Sequence, residues 1–358
     1  MSNIPVTKTT NSRIDSINWD NLGFGVHFSD HIYVSEYKDG KWSEGEIKPY
    51  GKFEIEPAMC TLHYGQAIFE GMKAFRDVNG GINLFRPDMN AKRLNHSARR
   101  ICIPEFNEYH FLDVLQDLIK VDVNFVPKKR GSSLYIRPVA FGDGNFLGVH
   151  ASDTYKLIIM TSPVSSYYKE GLNPVSILVS DEFVRAARGG TGTAKTAGNY
   201  AASLLAGKKA REAGYSQVLW LDAVDRKFVD EIGAMKIMFV IGDELITPPL
   251  DQGSILAGVT RDSVLKLAEQ EGIIKPVERS ISVDELFEAH RSGDLKEIFG
   301  TGTAAVISPV GKLDYKGEQI LVNDGKIGPV AQKFYDLITG LQYGEIEDKN
   351  DWVVHIDV

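Results

Sequence analysis

The chain has little of what defines several protein classes. It contains two cysteines, Cys60 and Cys102, and no Cys-x-x-Cys pair, so neither a disulfide framework nor a zinc site is expected. Its net charge of −8 disfavours non-specific binding to nucleic acid. No apolar run approaches the length of a membrane span, and residues 1–18 are polar, unlike a signal peptide. We therefore expect a cytoplasmic globular enzyme or binding protein.

The composition is that of an ordinary folded protein with more than one domain. Hydrophobic residues make up 43% and charged residues 25% of the 358, which is enough for two full cores. Strand-like and helical patterns alternate without an internal repeat. This predicts an α+β or mixed α/β fold rather than one parallel Rossmann sheet. A Pro-, Ser- and Gly-rich stretch predicts a linker at 165–172, joining a small N-terminal domain, 1–164, to a large C-terminal domain, 173–358.

Hydrophobic periodicity places individual elements along the chain. Turn residues after Tyr37 predict a hairpin, while Asn199 and Thr260 suit helix N-caps. The predicted strands are 32–37, 82–85, 134–139, 157–160, 175–179, 217–221, 227–230 and 237–241, and the predicted helices are 88–101, 109–123, 199–213 and 261–271.

The most informative segment is the loop at 189–200, where four glycines and three threonines surround Lys195. Glycines allow positive φ and let another molecule approach the backbone closely. A lysine in such a loop is either a cation for a phosphate or an amine nucleophile.

The phosphate interpretation depends on a nucleotide-binding loop of the form Gly, four residues, Gly-Lys-Ser/Thr. The segment matches except at Ala194, whose methyl group lies where phosphate must approach. A strand ending in Asp222 resembles a magnesium-binding strand, but residues 181–188 form a poor strand before the loop. A P-loop nucleotidase or kinase using Lys195, Thr196 and Asp222 therefore stays a remote alternative.

The nucleophile interpretation points to pyridoxal phosphate, which needs a lysine, a carboxylate and an anion cradle together. Glu231 lies between apolar runs and so needs a partner, which a protonated pyridine nitrogen would supply. A helix entered at Val259 and Thr260 offers free N–H groups to a phosphate. The small-residue loop at 299–305 is a second candidate. Taken singly, these features are more often an ordinary capped helix and a tight turn.

Several motifs in one order give the chain its resemblance to a known family. In the C-terminal half they are Gly192-Thr193-Ala194-Lys195 with Gly198-Asn199-Tyr200, Glu231-Ile232-Gly233-Ala234-Met235 and Phe299-Gly300-Thr301-Gly302-Thr303-Ala304. In the N-terminal half they are Leu62-His63-Tyr64-Gly65, Phe69-Glu70-Gly71-Met72-Lys73, Leu84-Phe85-Arg86-Pro87 and Leu134-Tyr135-Ile136-Arg137-Pro138. Together they resemble the branched-chain amino-acid aminotransferases, which are pyridoxal-phosphate enzymes of fold type IV. The resemblance runs from about Phe24 to Tyr343.

The resemblance implies a role for particular residues in binding the cofactor, pyridoxal 5′-phosphate. Lys195 would form the Schiff base and shuttle the proton, and Glu231 would pair with the pyridine nitrogen. Arg93, the N–H groups of Val259 and Thr260, and the side chain of Thr303 would hold the phosphate. Tyr200 would contact the ring hydroxyl.

A second set of residues is implied to bind substrate. Tyr64, Arg137 and the N–H groups of Thr303 and Ala304 would hold the α-carboxylate, with Tyr135 and Arg137 also admitting the γ-carboxylate of glutamate. The apolar pocket would consist of Phe24, Tyr64, Tyr135 and Tyr167, partly lent by the partner subunit of a homodimer.

The predicted activity is transfer of the amino group of L-leucine, L-isoleucine or L-valine to 2-oxoglutarate. A D-amino-acid aminotransferase or an aminodeoxychorismate lyase of the same fold is the nearest alternative, and a non-catalytic phosphate-binding module is a weaker one. The chain departs from the family pattern at Lys236, where relatives often carry Asn. It also departs at Leu256-Ala257-Gly258, where Leu-Pro-Gly is frequent.

Overall fold

The structure, a computed structural model, describes residues 4–165 and 172–358. Most of the predicted linker, including Tyr167, lies outside these residues. The described helices are α1 (Cys60–Tyr64), α2 (Pro87–Arg100), α3 (Glu108–Val121), α4 (Ala197–Ala202), α5 (Leu204–Glu212), α6 (Val259–Gln270), α7 (Val283–Ser292) and α8 (Pro329–Gln342), with short 3-10 helices at Ile14–Ser16, Val123–Phe125, Leu250–Gln252 and Asn323–Gly325. Within the described residues, none of these helices has the length and apolar character that a membrane crossing requires.

The strands of the described residues belong to two sheets. They are β1 (His31–Lys38), β2 (Lys41–Trp42), β3 (Glu46–Pro49), β4 (Ala67–Phe69), β5 (Met72–Arg76), β6 (Ile82–Phe85), β7 (Ser133–Gly142), β8 (Tyr155–Val164), β9 (Val175–Ser180), β10 (Gln217–Leu221), β11 (Val229–Ile232), β12 (Lys236–Ile241), β13 (Glu244–Thr247), β14 (Lys275–Glu278), β15 (Leu295–Gly302), β16 (Val306–Tyr315), β17 (Glu318–Leu321) and β18 (Val353–Ile356).

The described residues divide into two compact units. The first comprises 4–165, 194–198 and 340–358, and the second comprises 172–193 and 199–339. The C-terminal residues thus return to the first unit, where β18 pairs antiparallel with β6. The sequence predicts one domain for all of 173–358, whereas residues 340–358 belong to the first unit. The predicted boundaries at 164 and 173 otherwise stay a prediction.

The first unit has a nine-stranded sheet with the order β18-β6-β5-β7-β8-β1-β2, to which β3 adds at β1 and β4 at β7. Every pair in it is antiparallel. Helices α2 and α3 pack together and cover this sheet. Leu115 and Leu118 of α3 are fully buried in its core, which confirms the apolar face predicted from their spacing.

The second unit has a mixed sheet with the order β11-β10-β9-β16-β15-β12-β13-β14, to which β17 adds at β16. Strand β9 runs parallel to both β10 and β16, and the other pairs are antiparallel except β13 with β14. Two mixed helix-and-sheet units agree with the predicted α+β or mixed α/β fold and differ from a single parallel sheet.

Two predicted helix starts are wrong. The helix predicted at 199–213 is two helices, α4 and α5, divided at Ser203, and it begins at Ala197. Asn199 therefore lies inside α4, and its side chain bonds Thr191 instead of capping the helix. The other helix, α6, has Gly258 as its N-cap, so Thr260 is already in its first turn.

Candidate active site

Lys195 is fixed in the first unit through its backbone. Its N–H donates to Ser97 Oγ of α2 at 2.9 Å, and its carbonyl accepts from the N–H of Phe69 in β4 at 3.1 Å. The next residue, Thr196, forms a bridge with Ile68. A short extended segment is therefore anchored to both a helix and a strand, which gives the lysine a defined direction.

The side chain of Lys195 lies in surroundings that favour a neutral amine. Its Nζ is 4.7 Å from the centroid of the Phe69 ring. Burial, and then the positive charge of Arg93, lower the pKa of Lys195 to about 8, against smaller opposing effects of Glu70 and Tyr135. An amine with this pKa is partly deprotonated at neutral pH, as a nucleophile must be.

Glu70 is a buried acid that the sequence reading missed. Arg93 Nε and Nη2 donate to its two carboxylate oxygens at 2.7 and 2.9 Å, and Asn90 Nδ2 donates at 2.8 Å. Burial works against ionisation, but Arg93 outweighs it and keeps the pKa of Glu70 below its usual value. This two-pronged ion pair fixes the guanidinium plane of Arg93.

Glu70 lies between strands β4 and β5 and is followed by Gly71, where a larger residue would displace the Tyr135 side chain. A Cβ at Gly71 would lie 2.1 Å from the hydroxyl oxygen of Tyr135. The N–H of Glu70 bonds the carbonyl of Pro138, at the point where β7 changes its partner from β5 to β4. The motif Phe69-Glu70-Gly71 thus places a carboxylate beneath Arg93 and leaves room for Tyr135.

Arg137 and Tyr135 form a polar pair with aromatic neighbours. Arg137 Nη2 donates to the Tyr135 hydroxyl at 2.9 Å, and its guanidinium lies 4.7 Å from the centroid of the Phe69 ring. Phe24 packs edge-on against Tyr135 at 5.0 Å. Arg137 Nε is buried and has no hydrogen-bond partner among the described residues.

Two predicted substrate residues are not placed in this group. Tyr64 lies at the end of α1, is 41% exposed, and has its ring beside that of His63. Tyr167 is outside the described residues. The structure therefore brings together Lys195, Tyr135, Arg137 and Phe24 of the first unit, and their predicted roles stay predictions.

In the second unit, Glu231 is a buried carboxylate surrounded by donors. Lys236 Nζ bonds Oε2 at 2.8 Å, the N–H of Leu256 bonds Oε1 at 2.9 Å, and Arg185 Nη2 lies 3.1 Å from Oε1. Burial disfavours the charge, but Arg185 and Lys236 outweigh it and lower the pKa of Glu231. Glu231 is therefore ionised, as an acid that pairs with a pyridine nitrogen must be.

The N-terminus of α6 has N–H groups that no side chain caps. Its N-cap, Gly258, has no side chain, and no cap bond is formed there. Val259 and Thr260, both buried, supply the first N–H groups of the helix. Uncapped N–H groups with the positive end of the helix dipole form an anion-binding arrangement, as the sequence predicts for a phosphate.

Thr303 and Ala304 lie in a tight hairpin turn between β15 and β16. The turn is closed by the pair Gly302 and Val306, and Val306 has a φ of +62°. This left-handed conformation is unfavourable for a β-branched residue. Such strain is maintained where the surrounding structure demands a particular backbone path, here the tight turn that contains Thr303 and Ala304.

The glycines before Lys195 have a different role from the one expected. A Cβ at Gly192 would lie 2.2 Å from the carbonyl oxygen of Ser254, and Arg185 donates to the carbonyls of both residues. Gly192 is therefore small so that two backbone segments can approach each other. Gly192 thus differs from the expectation that the glycines of this loop let another molecule approach the backbone closely.

The nucleotide-binding interpretation has no support at Asp222. Both of its carboxylate oxygens accept backbone N–H bonds, from Val224 and Asp225 on one oxygen and from Lys227 and Phe228 on the other. Asp222 thus stabilises a turn after β10. Within the described residues, no group of three or more acidic, His or Cys side chains could hold a metal ion.

The residues present suit pyridoxal phosphate. The first unit contains a lysine with a lowered pKa, and the second unit contains a buried ionised acid and an uncapped helix N-terminus. These are the kinds of group that suit the cofactor's aldehyde, ring nitrogen and phosphate. Tyr200 lies in α4 close after Lys195 in sequence, and its predicted contact with the ring hydroxyl stays a prediction.

Comparison with known proteins decides the family. The family model described as Amino-transferase class IV matches residues 67–313, more than half of the chain. The chain belongs to the class IV aminotransferases. This aminotransferase is similar to two Bacillus subtilis proteins, branched-chain-amino-acid aminotransferase 2 and branched-chain-amino-acid transaminase 1. Each is 49% identical to it over 94% of this chain, and the matches cover 92% and 94% of those proteins.

A solved structure agrees with the sequence comparisons. The crystal structure of the branched-chain amino acid aminotransferase of Escherichia coli matches this aminotransferase with a TM-score of 0.74 and 29% identity, covering 90% of this chain and 98% of that one. The predicted family, fold class and enzyme class are confirmed. The alternative families considered from the sequence are not favoured by these relatives.

Proposed function

We propose that this aminotransferase moves the amino group of L-leucine, L-isoleucine or L-valine to 2-oxoglutarate, with pyridoxal 5′-phosphate bound to Lys195. The observation that carries the proposal is the similarity of nearly the whole chain to proteins named as branched-chain aminotransferases. The lowered pKa of Lys195 supports the role of its amine.

Each cofactor contact follows from the charge or donor that a residue offers. Lys195 would bind the aldehyde carbon, and Glu231 would hold a proton on the ring nitrogen. Arg93, Val259, Thr260 and Thr303 would bind the phosphate, and Tyr200 the ring hydroxyl. When bound, the cofactor supplies an electron sink for the substrate's α-carbon.

Lys195 would also act as the base of the reaction. Its Nζ would hold the proton that leaves the substrate's α-carbon and would return it at the cofactor's C4′. The Phe69 ring beside Nζ limits water around the amine, which keeps its basicity near neutral pH.

Substrate selectivity would come from an apolar wall with a polar rim. The aromatic rings of Phe24, Tyr64, Tyr135 and Tyr167 would contact the aliphatic chain, whose burial contributes roughly 1.5–3 kcal/mol. One methylene changes this by only about 1–3 kcal/mol, so all three amino acids should react.

The rim would bind carboxylates through charge and hydrogen bonds. Arg137 and Tyr135, already bonded to each other, would accommodate the γ-carboxylate of glutamate, and Arg137 with Tyr64 and the N–H groups of Thr303 and Ala304 would hold the α-carboxylate. Because part of the pocket is expected from a second subunit, a homodimer belongs to this proposal. So does a cytoplasmic location.

A panel of amino donors tests the proposal. With 2-oxoglutarate as acceptor, we expect glutamate formation from L-leucine, L-isoleucine and L-valine and none from their D-isomers. Exclusive turnover of D-amino acids would support a D-amino-acid aminotransferase. Magnesium-dependent ATP binding by protein that carries no pyridoxal phosphate would support the nucleotide-binding alternative. Either result would overturn the proposal.

Glu70→Gln is expected to change both the reactivity of Lys195 and stability. In the wild-type apoenzyme, the rate of pyridoxal phosphate capture should rise with pH through about 8, because only the deprotonated amine reacts. Removing the Glu70 charge removes an effect that raises the pKa of Lys195, so the midpoint should move to lower pH. Breaking the buried pair with Arg93 should cost about 3–5 kcal/mol of unfolding free energy.

Stopped-flow absorbance between about pH 6 and pH 10 measures the midpoint of the capture rate's pH dependence. Denaturant unfolding measures the free energy of unfolding. Lys92→Ala, which removes an exposed ion pair with Asp88 on the same helix, is the control and should change neither. An unchanged midpoint in Glu70→Gln would contradict the assigned effect of Glu70 on Lys195.

A further inference from the structure

Lys236 is a buried lysine to which the proposed function gives no role. Its side chain is 5% exposed, although a lysine is rarely buried without a strong reason. Its Nζ bonds Glu231 Oε2 at 2.8 Å.

The backbone places Lys236 and Glu231 opposite each other. Ile232 and Met235 bond each other across a tight turn that contains Gly233 at φ +54°. The next positions outward on the two strands are Glu231 on β11 and Lys236 on β12, and directly opposed side chains share a face. The ion pair is thus built into the hairpin.

The methylene stem of Lys236 packs against the start of α6. A Cβ at Gly258 would lie 2.7 Å from Lys236 Cγ. Gly258 is the N-cap of the helix whose first N–H groups are uncapped. The Lys236 side chain therefore contacts both the start of α6 and Glu231, and these two contacts position its ammonium group.

The charges around Glu231 come from several segments. Arg185 lies at Oε1, Lys236 at Oε2, and Asp230 is the preceding residue on β11. Burial raises the pKa of Asp230 to about 6, and the negative charge of Glu231 adds to this rise. Each cation favours the ionised form of Glu231, and each occupies one side of its carboxylate.

We propose that Lys236 is a positioning residue, whose ammonium keeps Glu231 ionised and oriented so that the cofactor's ring nitrogen meets an anion even at mildly acidic pH. This inference rests on the proposed function, because it concerns the acid that would bind the ring nitrogen. Lys236 itself acts through Glu231. Replacing Lys236 should therefore change the pH dependence of cofactor affinity.

The test measures the dissociation constant of pyridoxal phosphate by fluorescence quenching from about pH 5 to 8. Lys236→Met keeps the stem and removes the charge, whereas Lys236→Arg keeps a charge. In Lys236→Met the loss of affinity on the acid side should begin about one pH unit or more higher than in wild type. In Lys236→Arg it should stay within about 0.3 unit of wild type.

Two further variants identify the cause. In a Glu231→Gln background, Lys236→Met should no longer move the pH profile, because the titrating carboxylate is gone. Lys156→Met removes a lysine–carboxylate pair of the first unit and should leave the profile unchanged. Asp230 and the cofactor phosphate are present in every variant, so their contributions to the pH dependence of affinity should cancel when the profiles are compared.

The outcomes separate this inference from the proposed function. If wild type binds the cofactor but Lys236→Met has the same pH profile, or if Lys236→Arg shifts as far as Lys236→Met, the inference fails alone. A shift that persists in the Glu231→Gln background also overturns it. If wild type binds no pyridoxal phosphate, both fail.

Discussion

Lys195→Ala is expected to lower kcat by about 10⁴-fold or more, because Lys195 is the residue proposed both to bind the cofactor covalently and to act as the base of the reaction. The backbone of Lys195 is bonded to Ser97 and Phe69, which holds this lysine in place. Folding should change little, since the hydrogen bonds that anchor Lys195 are made by its backbone and remain in the alanine variant. Steady-state transamination with L-leucine measures the effect.

The control for this variant is Lys92→Ala, which removes an exposed lysine from α2 and should keep full activity. Circular dichroism should show the same folded content in both variants. If Lys195→Ala kept more than about 1% of wild-type kcat, another group would have to carry the reaction.

Glu231→Gln is expected to have the second largest effect, a loss of about 10²–10³-fold in kcat. In the proposed pairing, a neutral amide at this position would not stabilise a proton on the ring nitrogen, and the cofactor would accept electrons less readily. The change also leaves Arg185 and Lys236 without their buried counter-charge. The unfolding free energy should fall by about 3–5 kcal/mol.

A second buried acid separates these two effects. Glu297, on β15 of the same unit, accepts the N–H groups of Val330 and Ala331. Glu297→Gln should lower stability while leaving kcat per folded enzyme unchanged. If it reduced kcat as much as Glu231→Gln, the loss in Glu231→Gln would be structural.

The sequence allowed prediction where local rules apply. The hairpin of β1 and β2 turns at Asp39 and Gly40, both at positive φ, which is the pattern that its turn residues predict. The amphipathic helices α2 and α3 lie within two residues of their predicted bounds. In such elements spacing alone decides which face is buried.

The motif residues could be found because they occur as separate signatures in one order along the chain. The side chains that these residues contact in the folded protein could not be predicted. Glu70 meets Arg93 and Glu231 meets Arg185 only after the chain folds. Glu70 itself could have been selected as Glu231 was. Both are acids that lie between apolar residues and therefore need a partner.

The wrong helix starts have a common physical cause. Asn199 and Thr260 are good N-caps by residue type, but tertiary contacts overrode local preference. The Asn199 side chain braces Thr191, and Gly258 takes the cap position because Lys236 lies where its side chain would be. A single sequence does not contain these contacts.

The most direct test of the account is the absorbance spectrum of the purified protein with and without L-leucine. We expect a visible band from the lysine-bound cofactor that is lost on adding L-leucine and restored by 2-oxoglutarate. Lys195→Ala should lack this band. A wild-type protein without the band, or a band that survives in Lys195→Ala, would contradict the claim that Lys195 carries the cofactor.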